Sequence, residues 1–599
     1  MRRFLGDVRG NVAIIFALAL LPIAILVGGS VDLSRMRVER TKLQSATDAA
    51  VLAAAIMPAA STNAQIQVAI DNFLTANYDG EGTLTPAQVV RNGSAVQVQS
   101  RSNVPMIFAA MLGANTRPVT AQASAERGGV NVEVALVLDI TGSMGGSKLT
   151  DLKAAANDLI ATVVQDVQTP YYSKVAIVPY SNAVNVGANA AQLRGSVTPG
   201  KTLTNATWAT GATKTITGAT KARPVVVTTS NGHGFQNGDQ VFIAGVKGMT
   251  QLNDRYYTVA NRTNTMFELY DDDGNRVDGR YYSSFSSSSY GSAKKCANAD
   301  CEVQITSNGH GFASGDRVHV TDVNAAGMVT LNDNTFTVNR KNANSFLLTG
   351  SVGGGTYSSG GKVWCVTAGC EFYEFTSAAN TLQTHRINTC VSERTGTQAY
   401  TDAAASGAPL GRVYAPSGNP CPAVQVTPLT SNKTALGAQI ALLDDGGSTA
   451  GQIGIAWGWY MLSPNFASLW PTANRPAAYA TPQTLKVAVI MTDGAFNTGY
   501  CKGVSAKDTG YGSSSDRINC NATNGSAFTQ AAQLCAAMKA RGVVIYTVGF
   551  DISPNSDEAS FMRACANDSA HAQIAATGTA LRTAFRQIGD SIGQLRLTM

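Results

Sequence analysis

Three oxygen-bearing side chains follow one apolar segment and could together bind a hard cation. Residues 132–138 are mostly apolar and end at Asp139, and Thr141 and Ser143 come directly afterwards. A helical pattern opens near Lys148, so the segment predicts a strand, a loop and a helix. Carboxylate and hydroxyl oxygens suit Mg²⁺, Ca²⁺ or Mn²⁺ rather than metals that prefer sulfur or imidazole. The alternative is that these residues only form a turn and a helix cap.

Two later loops offer the same kinds of side chain. Residues 445–449 read Asp-Gly-Gly-Ser-Thr and precede a helical stretch, and the apolar segment 485–491 ends in Thr492-Asp493-Gly494. The three loops together resemble the metal-ion-dependent adhesion site of von Willebrand factor A domains. Thr141 stands where Ser is usual in that family and keeps the hydroxyl group.

This resemblance implies one bound Mg²⁺, or Ca²⁺ or Mn²⁺ in its place. The implied ligands are Asp139, Thr141, Ser143, Thr449 and Asp493. Two carboxylates and three neutral hydroxyls leave such a cation free to take a carboxylate from a partner protein or surface. The implied activity is therefore binding, not catalysis.

The order of elements predicts an α/β fold with a doubly wound, mostly parallel sheet like that of von Willebrand factor A domains. To this the sequence adds an inserted all-β repeat region and an N-terminal transmembrane helix. In a doubly wound sheet the carboxyl ends of the strands line one crevice, so the three loops are expected to meet there. Predicted strands lie at 132–138, 174–180, 485–491 and 543–550, and predicted helices in the second half at 526–541 and 580–595.

A segment near the N-terminus is long enough to cross a bilayer. Residues 12–31 carry no charge, and about 20 apolar residues span the hydrocarbon core as a helix. Basic residues both precede and follow the segment, so the positive-inside rule does not fix its orientation. A cleaved signal peptide is the alternative, but its apolar region is usually about 7–15 residues long, and no clear Ala-x-Ala site follows here. We therefore expect an uncleaved anchor.

The helical pattern continues beyond the apolar segment as a polar, Ala-rich extension. Its stripe of small and apolar residues predicts one long helix, half in lipid and half outside. The opening RGNVAIIFALALLP and this extension resemble the N-terminal region of TadG-like proteins of the tight-adherence (Flp) pilus assembly system, as do KVAVIMTDGAFN and LRTAFRQIGDSIGQLRLT further on. Relatives cut by a prepilin peptidase carry Glu where Ile15 stands, so cleavage after Gly10 is not predicted. The stripe of small and apolar residues in the Ala-rich extension consists of Leu43, Ala46, Ala50, Ala53 and Ala54.

The family resemblance implies an envelope protein of the pilus assembly system. Its implied partners are a protein or surface offering a carboxylate, other pilus-assembly components, and the inner membrane through residues 12–31. The alternatives are a structural pilus-associated component without metal and a nucleotide-hydrolysing enzyme. Against the enzyme, residues 142–149 depart from a phosphate-binding loop at Ser147 and Leu149. No basic stripe with interleaved aromatic residues indicates nucleic acid.

An internal repeat interrupts the α/β pattern. Thr-Ser-Asn-Gly-His-Gly-Phe occurs at 229–235 and again at 306–312, and each copy is followed by Gly-Asp and alternating strand patterns. We expect two small β modules, at about 223–296 and 301–365, which resemble modules of phage tail proteins and ubiquitin-activating enzymes. His233 and His310 could bind a metal or act as a catalytic base. Because they lack acidic or Cys partners at ligand spacing, we interpret them as turn residues.

Ten cysteines, all after residue 295, predict disulfides. Two C-x₄-C pairs occur at equivalent points, one after each repeat, and we expect each pair to close on itself. A zinc site is the competing interpretation, but structural zinc sites favour tighter C-x₂-C spacing. Disulfides at this density indicate an oxidising compartment, so we expect most of the chain in the periplasm or exported. The expected pairs are Cys296 with Cys301, Cys365 with Cys370, Cys390 with Cys421, Cys501 with Cys520, and Cys535 with Cys565.

The sequence thus predicts five regions in a single-pass protein of the bacterial inner membrane. The chain of 599 residues, with a net charge of +6, is long enough for several domains. The regions are a cytoplasmic tip and anchor at 1–35, a pilin-like helix and small α/β linker at 36–130, the first part of the von Willebrand factor A-like domain at 131–190, the insertion at 191–430, and the second part of that domain at 431–599.

Overall fold

A computed structural model describes residues 8–55, 57, 61–92, 95–126, 130–169, 171–288, 290–324, 328–509 and 511–598. The N-terminal region holds two helices, α1 (Val8–Ala55) and α2 (Asn63–Asn77), and three strands, β1 (Thr83–Asn92), β2 (Ala95–Pro105) and β3 (Thr116–Glu126). The strands form one antiparallel sheet in the order β1-β2-β3.

The long helix α1 is continuous from the apolar segment into the packed region. Leu43, Ala46, Ala50 and Ala54 are buried, whereas Ala53 of the predicted stripe is only half-buried. Small residues let α2 and the sheet approach α1 closely. Among the described residues, one helical stretch, Ile14–Ala55, is long and apolar enough to cross a membrane.

The first part of the central domain and the insertion follow in chain order. The first part contains β4 (Asn131–Asp139), α3 (Ser147–Val163), β5 (Ser173–Tyr180), β6 (Val184–Asn185) and α4 (Ala190–Arg194). The insertion contains β7 (Lys201–Thr202), β8 (Asn205–Thr207), β9 (Ala209–Ala219), β10 (Val226–Thr229), β11 (Gln240–Ala244), β12 (Arg255–Ala260), β13 (Met266–Tyr270), β14 (Gly291–Cys296), β15 (Val303–Thr306), β16 (Arg317–Asn324), β17 (Asn334–Arg340), β18 (Ser345–Thr349), β19 (Ser359–Cys365), β20 (Phe372–Thr376), β21 (Leu382–Ser392) and β22 (Gly411–Tyr414).

The two repeats share one strand order and differ in what flanks them. The first repeat is part of a closed barrel, β10-β13-β12-β11-β14-β9, and the second is part of a seven-stranded sheet, β7-β19-β16-β17-β18-β15-β8. The predicted limits of the repeats therefore leave out β7, β8 and β9, which precede both repeats and complete both sheets. Strands β20, β21 and β22 form a further sheet that the repeat pattern did not indicate.

The second part of the central domain returns to alternating helices and strands. It contains β23 (Thr427–Thr430), α5 (Lys433–Ala441), α6 (Gly451–Leu462), β24 (Thr484–Thr492), β25 (Tyr500–Cys501), β26 (Val504–Ser505), α7 (Ala527–Ala540), β27 (Val544–Phe550), α8 (Asp557–Cys565), β28 (Ala572–Ala575) and α9 (Gly578–Thr598).

Both parts of the central domain contribute to one six-stranded sheet in the order β23-β5-β4-β24-β27-β28. Strands β5, β4, β24, β27 and β28 pair in parallel, and β23 is an antiparallel edge strand. Helices α3, α5 and α9 cover one face, and α6, α7 and α8 cover the other. Strands buried on both faces are mostly apolar, and β4 and β24 follow this pattern except at Glu133 and Lys486, which are buried and form an ion pair with each other. Elsewhere antiparallel pairing dominates, so the whole chain is a mixed helix and sheet protein.

The ten cysteines form five disulfides within the described residues, and no cysteine there is free. Two of these close loops at the ends of the β repeats, and the others tie segments of the central domain and of the insertion that packs on it. The pairs are Cys296–Cys301, Cys365–Cys370, Cys390–Cys421, Cys501–Cys520 and Cys535–Cys565.

Candidate functional site

The end of strand β4 places Asp139 at the carboxyl edge of the six-stranded sheet. Asp139 is fully buried and lies opposite Tyr180 in the parallel pairing with β5. Its Oδ1 accepts hydrogen bonds from the backbone N–H of Thr141 at 3.0 Å and from the Thr141 hydroxyl at 2.6 Å. Its Oδ2 accepts from the hydroxyls of Thr492 at 2.8 Å and Tyr180 at 3.1 Å. The loop after β4 thus holds one carboxylate oxygen of Asp139, and the neighbouring strands β24 and β5 hold the other.

A chain of hydroxyl groups connects Asp139 to the second carboxylate of the predicted site. The hydroxyl oxygens of Thr141 and Ser143 are 3.0 Å apart. The Ser143 hydroxyl in turn donates to Oδ1 of Asp493 at 2.6 Å, across 350 residues of sequence. Asp493 directly follows β24, the neighbour of β4, and is buried. The parallel pairing therefore brings four of the five predicted residues together.

The loop that carries Thr449 packs against the loop after β4, but within the described chain Thr449 itself is hydrogen-bonded to Asn497 and not to the other predicted residues. The backbone N–H of Gly142 donates to Gly447 O at 3.0 Å, and that of Gly446 donates to Ile140 O at 2.9 Å. The backbone N–H of Thr449 donates to Asn497 Oδ1 at 2.8 Å, and the residue is buried. In the described part of the chain, no hydrogen bond joins the Thr449 side chain to the other four predicted residues. Its loop is thus in place, held by Asn497.

Burial and like charge set the protonation of the site. Burial, and next the negative charge of Asp493, raise the pKa of Asp139 to about 6, although the hydrogen bonds from Thr141 and Thr492 act in the opposite direction. A cation stabilises the ionised form of a buried carboxylate that has a second negative charge beside it. Burial also raises the pKa of the Tyr180 hydroxyl well above its usual value, with the Asp139 charge adding to the effect, so Tyr180 remains a hydrogen-bond donor.

Lys148 supplies a positive charge at this edge. Its Nζ lies 3.1 Å from Asp493 Oδ2 and 3.0 Å from Asp551 Oδ2. Burial alone would lower the pKa of Lys148, but the hydrogen bonds to Asp551 and Asp493 outweigh that effect and raise it. Lys148 therefore stays charged and partly neutralises Asp493.

The donor set at this edge consists of oxygen atoms. Two of the candidate ligands are carboxylates and three are hydroxyls, which is the chemistry that Mg²⁺ and Ca²⁺ prefer. Among the described residues, no group of three or more His, Cys, Asp or Glu side chains could hold a metal. Any cation here must therefore rely on the hydroxyls of Thr141, Ser143 and Thr449 beside Asp139 and Asp493. Carboxylates and hydroxyls together form a donor set that fits a hard divalent cation.

Sequence reasoning missed two side chains that shape the site. Asp551 directly follows β27, and Asp139 is the last residue of β4, so the same signal, an acid at the end of an apolar strand, would have identified Asp551. Asn497, which holds the Thr449 loop, lies in irregular structure and gave no pattern.

The two repeat histidines lie outside this site and have a structural role. His233 Nδ1 accepts from the backbone N–H of Phe235 at 3.0 Å, and His310 Nδ1 accepts from Phe312 at the same distance. Both rings are buried against the phenylalanines of their own repeat. Burial lowers the pKa of His233, which favours the neutral ring that this hydrogen bond requires.

Comparison with known families identifies two regions of the chain. Residues 10–60 match the family described as putative Flp pilus-assembly TadE/G-like, which confirms the resemblance predicted for the N-terminus. Residues 222–287 match the FCCH domain of ubiquitin-activating enzyme E1, which corresponds to the first β repeat. No curated protein matches the chain.

Solved structures similar to this chain include pilus proteins. The pilus adhesin SpaC from Lactobacillus rhamnosus GG is 9% identical with a TM-score of 0.29; the match covers 86% of this chain and 34% of SpaC, so the chain spans about a third of that adhesin. The von Willebrand factor domain of the type V pili tip protein Mfa5 from Porphyromonas gingivalis is 9% identical with a TM-score of 0.29, covering 78% of this chain and 97% of that domain. A mutant of the PilB minor pilin from Streptococcus sanguinis is 9% identical with a TM-score of 0.27, covering 86% of this chain and 80% of the pilin. At such scores the likeness carries no further argument.

Proposed function

We propose that this chain is a TadG-like, membrane-anchored envelope protein of a tight-adherence (Flp) pilus assembly system that binds a partner through a metal-ion-dependent adhesion site. The single observation that carries the proposal is the 2.6 Å hydrogen bond from Ser143 to Asp493, because it joins the loops after two neighbouring parallel strands into one set of oxygen ligands. The match of residues 10–60 to the TadE/G-like family supports the pilus system.

The proposed cation would be held by Asp139, Thr141, Ser143, Thr449 and Asp493. When bound, a divalent cation supplies positive charge and a coordination position for an acidic group of the partner. The chain's own residues fix the geometry: Thr492 and Tyr180 hold one oxygen of Asp139, and Asn497 holds the Thr449 loop. The site would bind a carboxylate of the partner without catalysing a reaction.

The six-stranded sheet supports the finer assignment of fold. Five parallel strands with helices on both faces are the architecture of a doubly wound domain, and in such domains ligands bind at the carboxyl ends of the strands. On this ground we assign residues 131–194 and 427–599 to a von Willebrand factor A-like domain, with the β repeats inserted between its two parts. These bounds are wider than the predicted 131–190 and 431–599 because α4 and the edge strand β23 are included.

Helix α1 is proposed as an uncleaved anchor in the inner membrane, with most of the chain outside the cytoplasm. Its apolar segment is long enough to span, and the five disulfides require an oxidising compartment. A reporter that is active only in the cytoplasm, fused after Met599, is expected to be inactive. Activity of that fusion would overturn the topology.

Calorimetric titration with Mg²⁺, Mn²⁺ and Ca²⁺ tests the adhesion site. Wild-type protein is expected to bind one cation, and Asp139→Ala and Asp493→Ala are expected to lose the binding heat while keeping the circular dichroism spectrum of the folded protein. Asp590→Ala, which removes an exposed carboxylate from α9, is the matched control and should bind as the wild type does. Identical traces for wild type and Asp139→Ala would overturn the metal site.

A structural pilus-associated component without metal is the second candidate. The observation in its favour is Lys148, whose ammonium group already neutralises part of the charge on Asp493. The same titration separates the two candidates, since only the adhesin requires a cation. Neither candidate is an enzyme.

A further inference from the structure

The turn between β2 and β3 exposes a cluster of large apolar side chains. We call residues 106–113 the β2–β3 tip. Ile107 is 54% exposed, Phe108 40%, Met111 83% and Leu112 75%. No charged residue lies between Arg101 and Arg117, so the whole tip is apolar or neutral. A contiguous apolar patch on a protein surface marks a site of contact with another apolar body.

The tip is fixed against helix α1. The ring of Phe108 lies so close to Gly28 that a Cβ atom added to Gly28 would be 2.5 Å from its Cγ atom. The carboxylate of Asp32 accepts three backbone hydrogen bonds from the tip, from Ile107 at 3.0 Å, Phe108 at 2.9 Å and Ala109 at 2.7 Å. These contacts make the tip and this turn of α1 one unit.

The contacts also set the height of the tip along α1. Asp32 is the first charged residue after the apolar segment 12–31, so it marks the level at which the segment ends. Gly28 lies four residues earlier, which is about 6 Å along a helix that rises 1.5 Å per residue. Phe108 therefore lies beside the apolar segment, one helical turn inside its boundary.

Asp32 is suited to this boundary. A carboxylate at the edge of a bilayer is costly unless its oxygens are hydrogen-bonded. Asp32 is 4% exposed, and the three backbone N–H groups of the tip supply these bonds. Arg117, which pairs with Val104 where β3 begins after the tip, is exposed, and basic side chains close to a bilayer are attracted to anionic lipid headgroups.

We propose that the β2–β3 tip is a second membrane contact, in which Ile107, Phe108, Met111 and Leu112 insert into the leaflet on the side of the bilayer from which α1 emerges. The proposal rests on the anchor of the proposed function, because α1 brings the tip to the bilayer. The occupant is the lipid itself: the patch is continuous with the apolar segment and is followed by a basic residue. With both α1 and the tip in contact with the bilayer, the N-terminal region is held at a fixed orientation on the membrane. A single helix would allow this region to rotate about the helix axis.

Fluorescence quenching by brominated lipids tests the tip in the full-length protein. All five tryptophans lie after residue 207, far from the tip in sequence, and wild-type protein gives their background. Met111→Trp and Leu112→Trp place a reporter at the two most exposed positions of the tip. Val68→Trp places one at a position of α2 that is 58% exposed, beyond the membrane end of α1, and Phe16→Trp places one within the apolar segment. The protein is reconstituted in phosphatidylcholine and phosphatidylglycerol vesicles with brominated acyl chains.

Both tip reporters are expected to show at least twofold more quenching than Val68→Trp. Quenching of Phe16→Trp alone, with the tip reporters behaving like Val68→Trp, would overturn the tip contact and leave the anchor intact. Absence of quenching at Phe16→Trp would remove the anchor and the tip contact together. Tip reporters shielded from both the brominated lipid and aqueous iodide would show that protein covers the patch, which also overturns the proposal.

Discussion

The ammonium group of Lys148 lies 3.1 Å from Oδ2 of Asp493, so the chain places a positive charge of its own beside the proposed cation site. The side chain is 27% exposed and also pairs with Asp551 at 3.0 Å. A divalent cation bound by Asp493 must share that carboxylate with Lys148. The lysine should therefore weaken metal binding and stabilise the metal-free loop.

Replacing Lys148 by Met is expected to raise the affinity for Mg²⁺ about fivefold. This figure corresponds to about 1 kcal/mol, the upper value for a partly exposed ion pair. Isothermal titration calorimetry measures the change, and Lys148→Arg, which keeps the charge, is the matched control. Weaker binding by Lys148→Met would mean that the lysine assists the site.

Thr141 is expected to contribute through its hydroxyl. Its Oγ lies 2.6 Å from Asp139 and 3.0 Å from Ser143, so removal of that atom breaks the chain of oxygens. Thr141→Val removes a proposed ligand and should lower metal affinity by at least about tenfold, since loss of a group that only orients the ligands already costs about that much. Thr141→Ser keeps the hydroxyl and should bind as the wild type does. Equal loss in both variants would point to packing of the Thr141 methyl group.

The meeting of Asp139, Ser143 and Asp493 could be predicted from sequence, because the ends of neighbouring parallel strands share one edge. The contribution of Lys148 could not, since its side chain reaches the edge from the first turn of α3. The tip between β2 and β3 also escaped prediction. Its apolar residues have no periodicity, and their position beside α1 depends on the backbone hydrogen bonds of the tip to Asp32.

The insertion shows a different limit of sequence reasoning. The repeated Thr-Ser-Asn-Gly-His-Gly-Phe motif located both repeats because each histidine makes the same hydrogen bond within its turn. The strands that complete the sheets escaped prediction. Strand β9 has only one buried residue and is rich in Gly, Thr and Ala, so it lacks the alternation that identifies a half-buried strand.

Glu393 should make the stability of the protein depend on pH. Its carboxylate follows β21, is buried, and accepts a hydrogen bond from the backbone N–H of Tyr500 at 2.8 Å. Burial raises its pKa from 4.5 to about 7, although the backbone hydrogen bonds oppose the shift. The folded state thus keeps a proton that the unfolded state has lost between these pH values. Its contribution to stability, about 3 kcal/mol, is present below pH 4.5 and is lost as the pH rises to about 7.

Glu393→Gln tests this dependence because the amide imitates the protonated acid. We expect the variant and the wild type to unfold at similar temperatures at about pH 4.5, and the variant to unfold several degrees higher at about pH 8. Thermal unfolding followed by circular dichroism measures both, and Asp590→Asn is the control for an exposed carboxylate of the central domain. A difference in unfolding temperature that does not change with pH would contradict the assignment to Glu393.

The disulfides should differ in their contribution to stability according to the loops they close. Cys535–Cys565 joins α7 to α8 across 30 residues, whereas Cys296–Cys301 spans five. A disulfide stabilises the folded state by restricting the unfolded chain, and the effect grows with the length of the closed loop. We expect about 4 kcal/mol of stabilisation from Cys535–Cys565 and about 2 kcal/mol from Cys296–Cys301. Cys535→Ala/Cys565→Ala should therefore lower the denaturant midpoint of the central domain strongly, while Cys296→Ala/Cys301→Ala should leave that transition unchanged and weaken the first repeat mildly. Mass spectrometry of the non-reduced wild type, which should find no free thiol, verifies the pairing first. Equal shifts of the central transition in both double variants would show that the two disulfides do not act on separate domains.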